Sequence, residues 1–211
     1  MDQKEVWNFL AESWRNHRNK PIKEVVEFLE KEYRSINISP GRILDVGCGT
    51  GRNLIAGFRW TGTDISPKMI EYAKSFAKRK GIDFTGVVAD ARNLPLDSDA
   101  YDLALCIAVL HCLDSERKKA VSEMYRTMKK GGRALIIVWN RRQPKFWFLQ
   151  REIHEPWRIG DRTFYRYYYL FTKNELKQLL ESAGFKIVSI KGSSDKAFKI
   201  FPKNIVAVAE K

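Results

Sequence analysis

Cysteine is scarce in this sequence and unpaired. The three that occur, Cys48, Cys106 and Cys112, form no CxxC pair, so neither a disulfide framework nor a metal site within the chain is supported, and buried free thiols are expected. No apolar run approaches the ~20 residues that span a bilayer. The opening MDQKEVWNFL has acids and amides where a secretory leader has a basic start and an apolar block, so the chain is expected in the cytoplasm, away from membranes. Internal repeats and low-complexity stretches are also missing. Acidic side chains are in the minority, 25 against 38 Lys and Arg, which leaves a net charge of +13. That balance favours a polyanionic partner such as nucleic acid, with the Lys- and Glu-rich surface of a heat-adapted protein as the lesser alternative.

What is present is enough for a sizeable core: 44% of the 211 residues are hydrophobic. The expected organisation is a single domain over 1–211, with an N-terminal helical lead at 1–40 and an insertion at 141–171. The basic excess is local. Residues 1–40 balance at seven basic and seven acidic side chains, whereas 141–173 carries eight basic, three acidic and ten of the 26 aromatics. RTFYRYYYLFT, from Arg162 to Thr172, alone holds six aromatic rings and two arginines.

Val6, Trp7, Leu10 and Trp14 have helical spacing, as do Ile22, Val25, Val26 and Leu29 after Pro21. RILDVG then reads as a buried strand ending in glycines, followed by a brief helix, RNLIAGF, and a second strand, FRWTGTD. Ser66-Pro67 opens a helix that Gly81 closes, with Met69, Ile70, Ala73, Phe76 and Ala77 on one face. IDFTGVVAD and YDLALCIAVL are further strands. A helix capped by Asp114 or Ser115 is expected to run to Gly131-Gly132, before a fifth strand, RALIIVW. Thr172 and Glu175 form a capping box, with Phe171 and Leu176 as its staple, for a helix ending at Gly184. FKIVSIK and NIVAVAE then pair antiparallel. The alternation predicts an α/β fold, a doubly wound, mostly parallel sheet of seven strands with ligands at the strands' carboxyl ends.

DVGCGTG, Asp45 to Gly51, is a glycine turn between strand and helix, where missing side chains let a ligand lie on the backbone. Alone it fits a structural turn or a nicotinamide site equally, although a GxGxxG fingerprint needs glycine at 52, where Arg52 stands. Two strand-end acids separate the readings. Asp64 is placed to accept from both ribose hydroxyls of a nucleoside, and Asp90 to meet an exocyclic adenine amine. No Lys-Ser or Lys-Thr follows the glycines, against a P-loop.

Through Ile43 to Gly51, Asp64 in GTDIS and Asp90 in ADARNLP, residues 40–140 resemble class I S-adenosylmethionine-dependent methyltransferases. The resemblance implies S-adenosylmethionine as cofactor, held by Asp45, Gly47, Gly49, Gly51, Asp64, Ile65, Asp90, Ala91 and Ile107. Strand four ends in CIAVLHC, unlike the Asn-Pro-Pro-Tyr type of motif with which such enzymes grip a planar nitrogen. Nearly end to end the chain resembles a narrower family, the tRNA wobble-uridine carboxymethyl methyltransferases. The matching pieces are Arg18 to Pro21, the shortened helix RNLIAGF, Ile107 to His111, Leu135 to Trp139, Pro156-Trp157 and Arg166 to Phe171. Cys112 and Tyr169 stand where the family often has histidine.

This resemblance implies esterification of the carboxylate of 5-carboxymethyluridine in tRNA, and a heterodimer with a small zinc-binding activator. Arg18 and Arg166 are then the candidates to hold the substrate carboxylate. His111 would donate to substrate or shape the pocket, and Trp139 would stack on the uracil or close the core. Arg162, Arg166 and Tyr167 are expected to face RNA, with Arg141 and Arg142 as phosphate contacts, while Phe164, Tyr168, Leu170 and Phe171 pack inward. The edge of the third strand, with Phe84, Val87 and Val88, is the expected activator surface, together with Met69 or Phe76. The alternatives are methylation of a small-molecule carboxylate or hydroxyl, and a cofactor-binding module without activity.

Overall fold

The computed structural model describes residues 2–36, 41–193 and 201–211. Helices α1 (Gln3–His17) and α2 (Lys23–Ile36) precede the strands β1 (Arg42–Val46) and β2 (Arg59–Asp64). Helix α3 (Pro67–Lys80) and strands β3 (Phe84–Val88) and β4 (Tyr101–Ile107) follow. Next come α4 (Arg117–Thr127), β5 (Met128–Trp139), β6 (Glu152–Ile159) and β7 (Arg162–Tyr169). The described chain closes with α5 (Lys173–Glu181), β8 (Lys186–Gly192) and β9 (Asn204–Glu210). Seven strands form one sheet in the order β3-β2-β1-β4-β5-β9-β8, parallel through β5 and antiparallel at β9, as the sequence predicts.

Strand alternation builds the layers. Leu44, Val46, Ala104, Cys106, Ala134 and Ile136 share one buried cluster with Val121 and Met124 of α4 and Leu176 and Leu180 of α5. Their neighbours Ile43, Leu103, Leu105, Leu135 and Ile137 join Val25, Phe28 and Leu29 of α2 and Ala77 of α3 in another. A period of two thus feeds both faces of the sheet, the doubly wound arrangement. Arg133 ties the layers at the side, with Glu32 at 3.2 Å and Glu210 at 3.2 Å.

Local signals resolve as expected at two helices. The Ser66 side chain accepts from Met69 N–H, Pro67 occupies the first turn, and Gly81 adopts the left-handed conformation at the end of α3. Thr172 and Glu175 make the reciprocal capping box of α5. Two local expectations fail. Residues 51–58 form turns, not a helix: Gly51 N–H bonds to Cys48 and Leu54 N–H to Gly51, and the chain reaches β2 without an i→i+4 ladder. Helix α4 starts from Glu116 in the left-handed region, with no side-chain cap from Asp114 or Ser115, and it ends at Thr127, because Met128 to Gly132 are already strand.

The insertion is an antiparallel hairpin, β6 against β7, in register from Glu152↔Tyr169 to Ile159↔Arg162. It packs on α1: Phe9 stacks on Phe164 at 5.8 Å, Trp14 meets Trp157 at 5.5 Å, and Gln3 bonds Tyr165 O and Tyr167 N. Helix α1 and the hairpin therefore form one wall above the carboxyl ends of β1 and β4, where the strand order diverges. Strand β3 lies at the sheet edge as expected, with Val88 48% exposed. Met69, however, is buried within the chain's own packing and is no part of an open surface.

Candidate active site

The glycine turn leaves β1 through Gly47 (φ 69°) and Gly49 (φ 54°). Cys48 N–H donates to Thr63 O at 2.8 Å, which fastens the turn to β2. A Cβ at Gly47 would lie 2.2 Å from Val109 Cγ2, so no side chain fits there. Asp64 completes the cradle by accepting from Gly49 N–H at 3.0 Å and Ser66 N–H at 2.9 Å, with each carboxylate oxygen retaining capacity for one more donor.

A cleft of about 400 Å³ opens over this turn. Gly47, Gly49, Asp64, Ile65, Asp90, Ala91 and Ile107 all line it. Asp45 and Gly51 do not. Gly51 faces α3, where a Cβ would press on Ala73 at 3.2 Å, so its role is packing. The wall also includes residues outside the set expected from the sequence, among them Trp7 and Trp14 of α1, and Arg52 and Asn53 just after the glycines. Arg52 had a signal in its place directly beyond the turn. For the tryptophans, helical spacing identified a face but not what it meets.

Three acids differ in their electrostatics. Asp45 is wholly buried with both carboxylate oxygens unpartnered, and burial pushes its pKa up to about 8 against the pull of Arg52. Asp64 is raised to about 6 by burial, opposed by its two backbone donors. Asp90 instead lies in the fork of Arg92, with Nη2 at 2.7 Å and Nε at 3.0 Å, and these bonds hold it below the usual range. Its carboxylate is thus already engaged, and an adenine amine would share it with Arg92 rather than find it free.

The arrangement fits S-adenosylmethionine: a glycine cradle, a strand-end acid with free acceptor capacity beside it, and an orphaned carboxylate behind it for a cationic ligand. A pKa near 8 means Asp45 is mostly protonated at neutral pH. A raised acid stabilises the fold below its unfolded pKa of ~3.9 and loses that contribution as pH rises to the folded value. The cofactor-free protein should therefore lose stability between about pH 4 and pH 8. A cation bound nearby favours the ionised form, so binding at pH 7 should release protons. Calorimetry in two buffers of different ionisation enthalpy should give different apparent enthalpies, and Asp45→Asn should remove the difference. Equal enthalpies for the parent protein would contradict this role.

Beyond the cleft's Cys112 lies a second group. His111 is buried and its Nδ1 accepts from Trp139 N–H at 3.1 Å, which puts the ring proton on Nε2. Burial and the Arg166 charge lower its pKa to about 3, so it is neutral. Trp139 stacks on Tyr168 at 4.4 Å, and His111 meets Tyr168 at 5.1 Å. Arg166 is 6% exposed. Its Nη1 donates to Tyr168 OH at 2.8 Å and its guanidinium lies over Trp157 at 4.8 Å, but its Nε has no partner and no carboxylate pairs with it among the described residues. Arg18 is exposed at the end of α1, over Trp14 at 5.4 Å, and its charge reaches both Arg52 and Tyr168. Cys112 donates to Ala108 O at 3.2 Å, while Tyr169 turns away to Glu175 at 3.1 Å and to Arg117.

The expected outer surface needs correction. Arg166 is inside, not facing solvent. Tyr167 is buried too: its hydroxyl accepts from Arg117 at 2.6 Å and its N–H is held by Gln3, because both faces of β7 are covered from Arg166 to Tyr168. Arg162 is exposed at the Gly160-Asp161 hairpin turn and Arg142 is exposed, while Arg141 is half-buried with one Nη lacking a partner. Tyr168, Leu170 and Phe171 are buried as expected, and Phe164 is partly so.

Residues 43–132 match the family model described as a methyltransferase domain. Fold, cleft and family match together identify residues 43–132 as a methyltransferase domain of the class I type that uses S-adenosylmethionine. Within that class the chain is 28% identical to the tRNA (carboxymethyluridine(34)-5-O)-methyltransferase of Schizosaccharomyces pombe, over 95% of each chain. Among solved structures it resembles the CcbJ methyltransferase of Streptomyces caelestis, with a TM-score of 0.78 at 16% identity over 100% of this chain and 99% of that one. It also resembles a Haloferax volcanii structure described as a complex between the Trm112 methyltransferase activator and the putative methyltransferase. There the TM-score is 0.69 at 17% identity, over 99% of this chain and 96% of that one. No helix among the described residues is long and apolar enough to cross a membrane.

Proposed function

We propose that this enzyme esterifies the carboxylate of 5-carboxymethyluridine at the wobble position of tRNA. The observation that carries the reading is Arg166, a buried guanidinium without an acidic partner beside the cofactor cleft. A buried charge without a counter-ion is costly and is retained where an anion comes to meet it. The near full-length similarity to the fission-yeast enzyme supports a tRNA carboxylate as that anion.

The chemistry asks little of the protein beyond placement. S-adenosylmethionine supplies an activated methyl group when bound in the cleft. A substrate carboxylate, with a pKa near ~4, is ionised at neutral pH and needs no general base. Arg166 would hold one oxygen and leave the other free, with Arg18 at the mouth as a second cation. His111, neutral with its proton on Nε2, would donate to the uracil or ribose without adding charge. Trp139, stacked with both Tyr168 and Phe146, would close the wall beside the base. Orientation of this kind is worth up to ~7–11 kcal/mol, and the aromatic wall excludes water from the carboxylate. Labelled methyl groups should enter total tRNA and be lost on RNase treatment. Incorporation into a metabolite extract instead would support the small-molecule alternative.

The open edge of β3 suits a small zinc-binding activator, and the Haloferax complex supports such an assembly for this fold. A partner strand would continue the sheet at β3 and cover Val88 and the half-buried Phe84 and Val87. Co-expression with the activator should raise soluble yield and activity together. Val88→Pro, which blocks backbone pairing at the edge, should cancel that gain. A stable, fully active chain that ignores the activator would contradict this assignment.

A further inference from the structure

Between β5 and β6 the chain runs RRQPKFWFLQR without a single acid. Phe146 is buried and stacks on Trp139 at 5.9 Å, but the next three residues turn outward: Trp147 is 53% exposed, Phe148 96% and Leu149 46%. Three consecutive exposed apolar side chains are a liability in a soluble protein unless a partner covers them. The surrounding charge selects the partner. Arg141, Arg142, Lys145 and Arg151 flank the rings, and the Arg142 side chain makes no ion pair among the described residues, although Lys145 and Arg151 engage Glu155 and Glu175. The Trp147 ring meets Phe201 at 5.4 Å, and Phe146, its neighbour in the chain, leads on through Trp139 and Tyr168 to His111 and Arg166.

We propose that Trp147 and Phe148 form a stacking platform for unpaired bases of the RNA, beside the nucleotide whose carboxylate reaches Arg166. The proposal rests on the tRNA reading above. It adds a binding element outside the cofactor cleft that is indifferent to base identity, because every base presents a flat face to a ring. Basic groups around the rings take the phosphates, and the rings take the bases.

The test is fluorescence anisotropy of a labelled anticodon stem-loop RNA across a salt series. Trp147→Ala/Phe148→Ala should weaken binding by roughly tenfold or more at every salt concentration, with the salt slope unchanged. Trp147→Phe, which keeps a ring, should retain most of the affinity, and cofactor affinity should stay the same in both. Arg142→Ala should instead flatten the slope, as expected for a lost phosphate contact. Parent-like RNA binding by the double variant would overturn the platform. So would loss of binding to phosphatidylcholine–phosphatidylserine vesicles with RNA binding intact, since that assigns the patch to lipid. If the parent protein itself fails to bind the RNA, the tRNA reading falls and the platform with it.

Discussion

Arg166→Met should nearly abolish methyl transfer to tRNA and leave the protein as stable as before, or more so. A preorganised donor at a reacting oxyanion is typically worth ~100- to 1,000-fold in turnover, and a loss of that order is expected here. The stability half of the result separates this role from a structural one. Arg166 has one good bond, to Tyr168 OH at 2.8 Å, a long one to Pro156 O at 3.4 Å, and an unpartnered Nε in a buried setting. Replacing such a charge by an apolar chain of similar length removes a desolvation cost. A thermal melt together with turnover and calorimetric cofactor affinity would read all three quantities. If turnover, cofactor binding and melting temperature fall together, Arg166 is a fold residue and the carboxylate grip lies elsewhere. Arg166→Lys should recover little, because a point charge cannot reproduce the guanidinium's planar set of donors.

Asp64→Ala should reverse that pattern and act first on the cofactor. Its two oxygens hold Gly49 and Ser66 N–H in place and keep capacity for ligand hydroxyls. Loss of charge-assisted bonds of this kind costs roughly 1–3 kcal/mol in affinity. Because Asp64 is raised to about 6, cofactor affinity in the parent protein should also fall as pH drops below about 6, and Asp64→Asn should flatten that dependence. Titration calorimetry over this range would check both. Unchanged affinity in Asp64→Ala would remove the acid from the cofactor site.

Sequence made the frame legible where its signals are short-range. Ser66-Pro67 to Gly81, and Thr172 with Glu175, are caps whose side chains bond backbone a few residues away, so composition and spacing suffice. The sheet followed from alternating apolar strands, and the cradle from glycines and strand-end acids. What stayed hidden depends on contacts between distant segments. Gly160-Asp161 between aromatic runs is a hairpin signal, yet only the packing of β7 on α1 makes Tyr167 an inside residue. Arg166 could be named as a substrate candidate from the resemblance, but its burial depends on Trp157 of β6 and His111 after β4 closing around it and its strand neighbour Tyr168. Asp90 lies in the cleft as expected, but its carboxylate is paired with Arg92 two residues on, a local contact that strand and turn patterns do not mark. The missing helix at 51–58 has a similar cause. Leu54 is buried and Trp60 Nε1 bonds Ile55 O at 2.9 Å, so these apolar residues are used as packing points in turns rather than as a helix face.

The most direct measurement of the central claim is the chemical nature of the methyl product. The protein should be incubated with tritiated S-adenosylmethionine and tRNA that carries 5-carboxymethyluridine, and the purified RNA then treated with mild alkali. A methyl ester hydrolyses, so nearly all of the label should leave the RNA as volatile methanol, and Arg166→Met should give almost none. Label that remains on the RNA after alkali would mean methylation of a base or ribose atom, and would contradict carboxylate esterification.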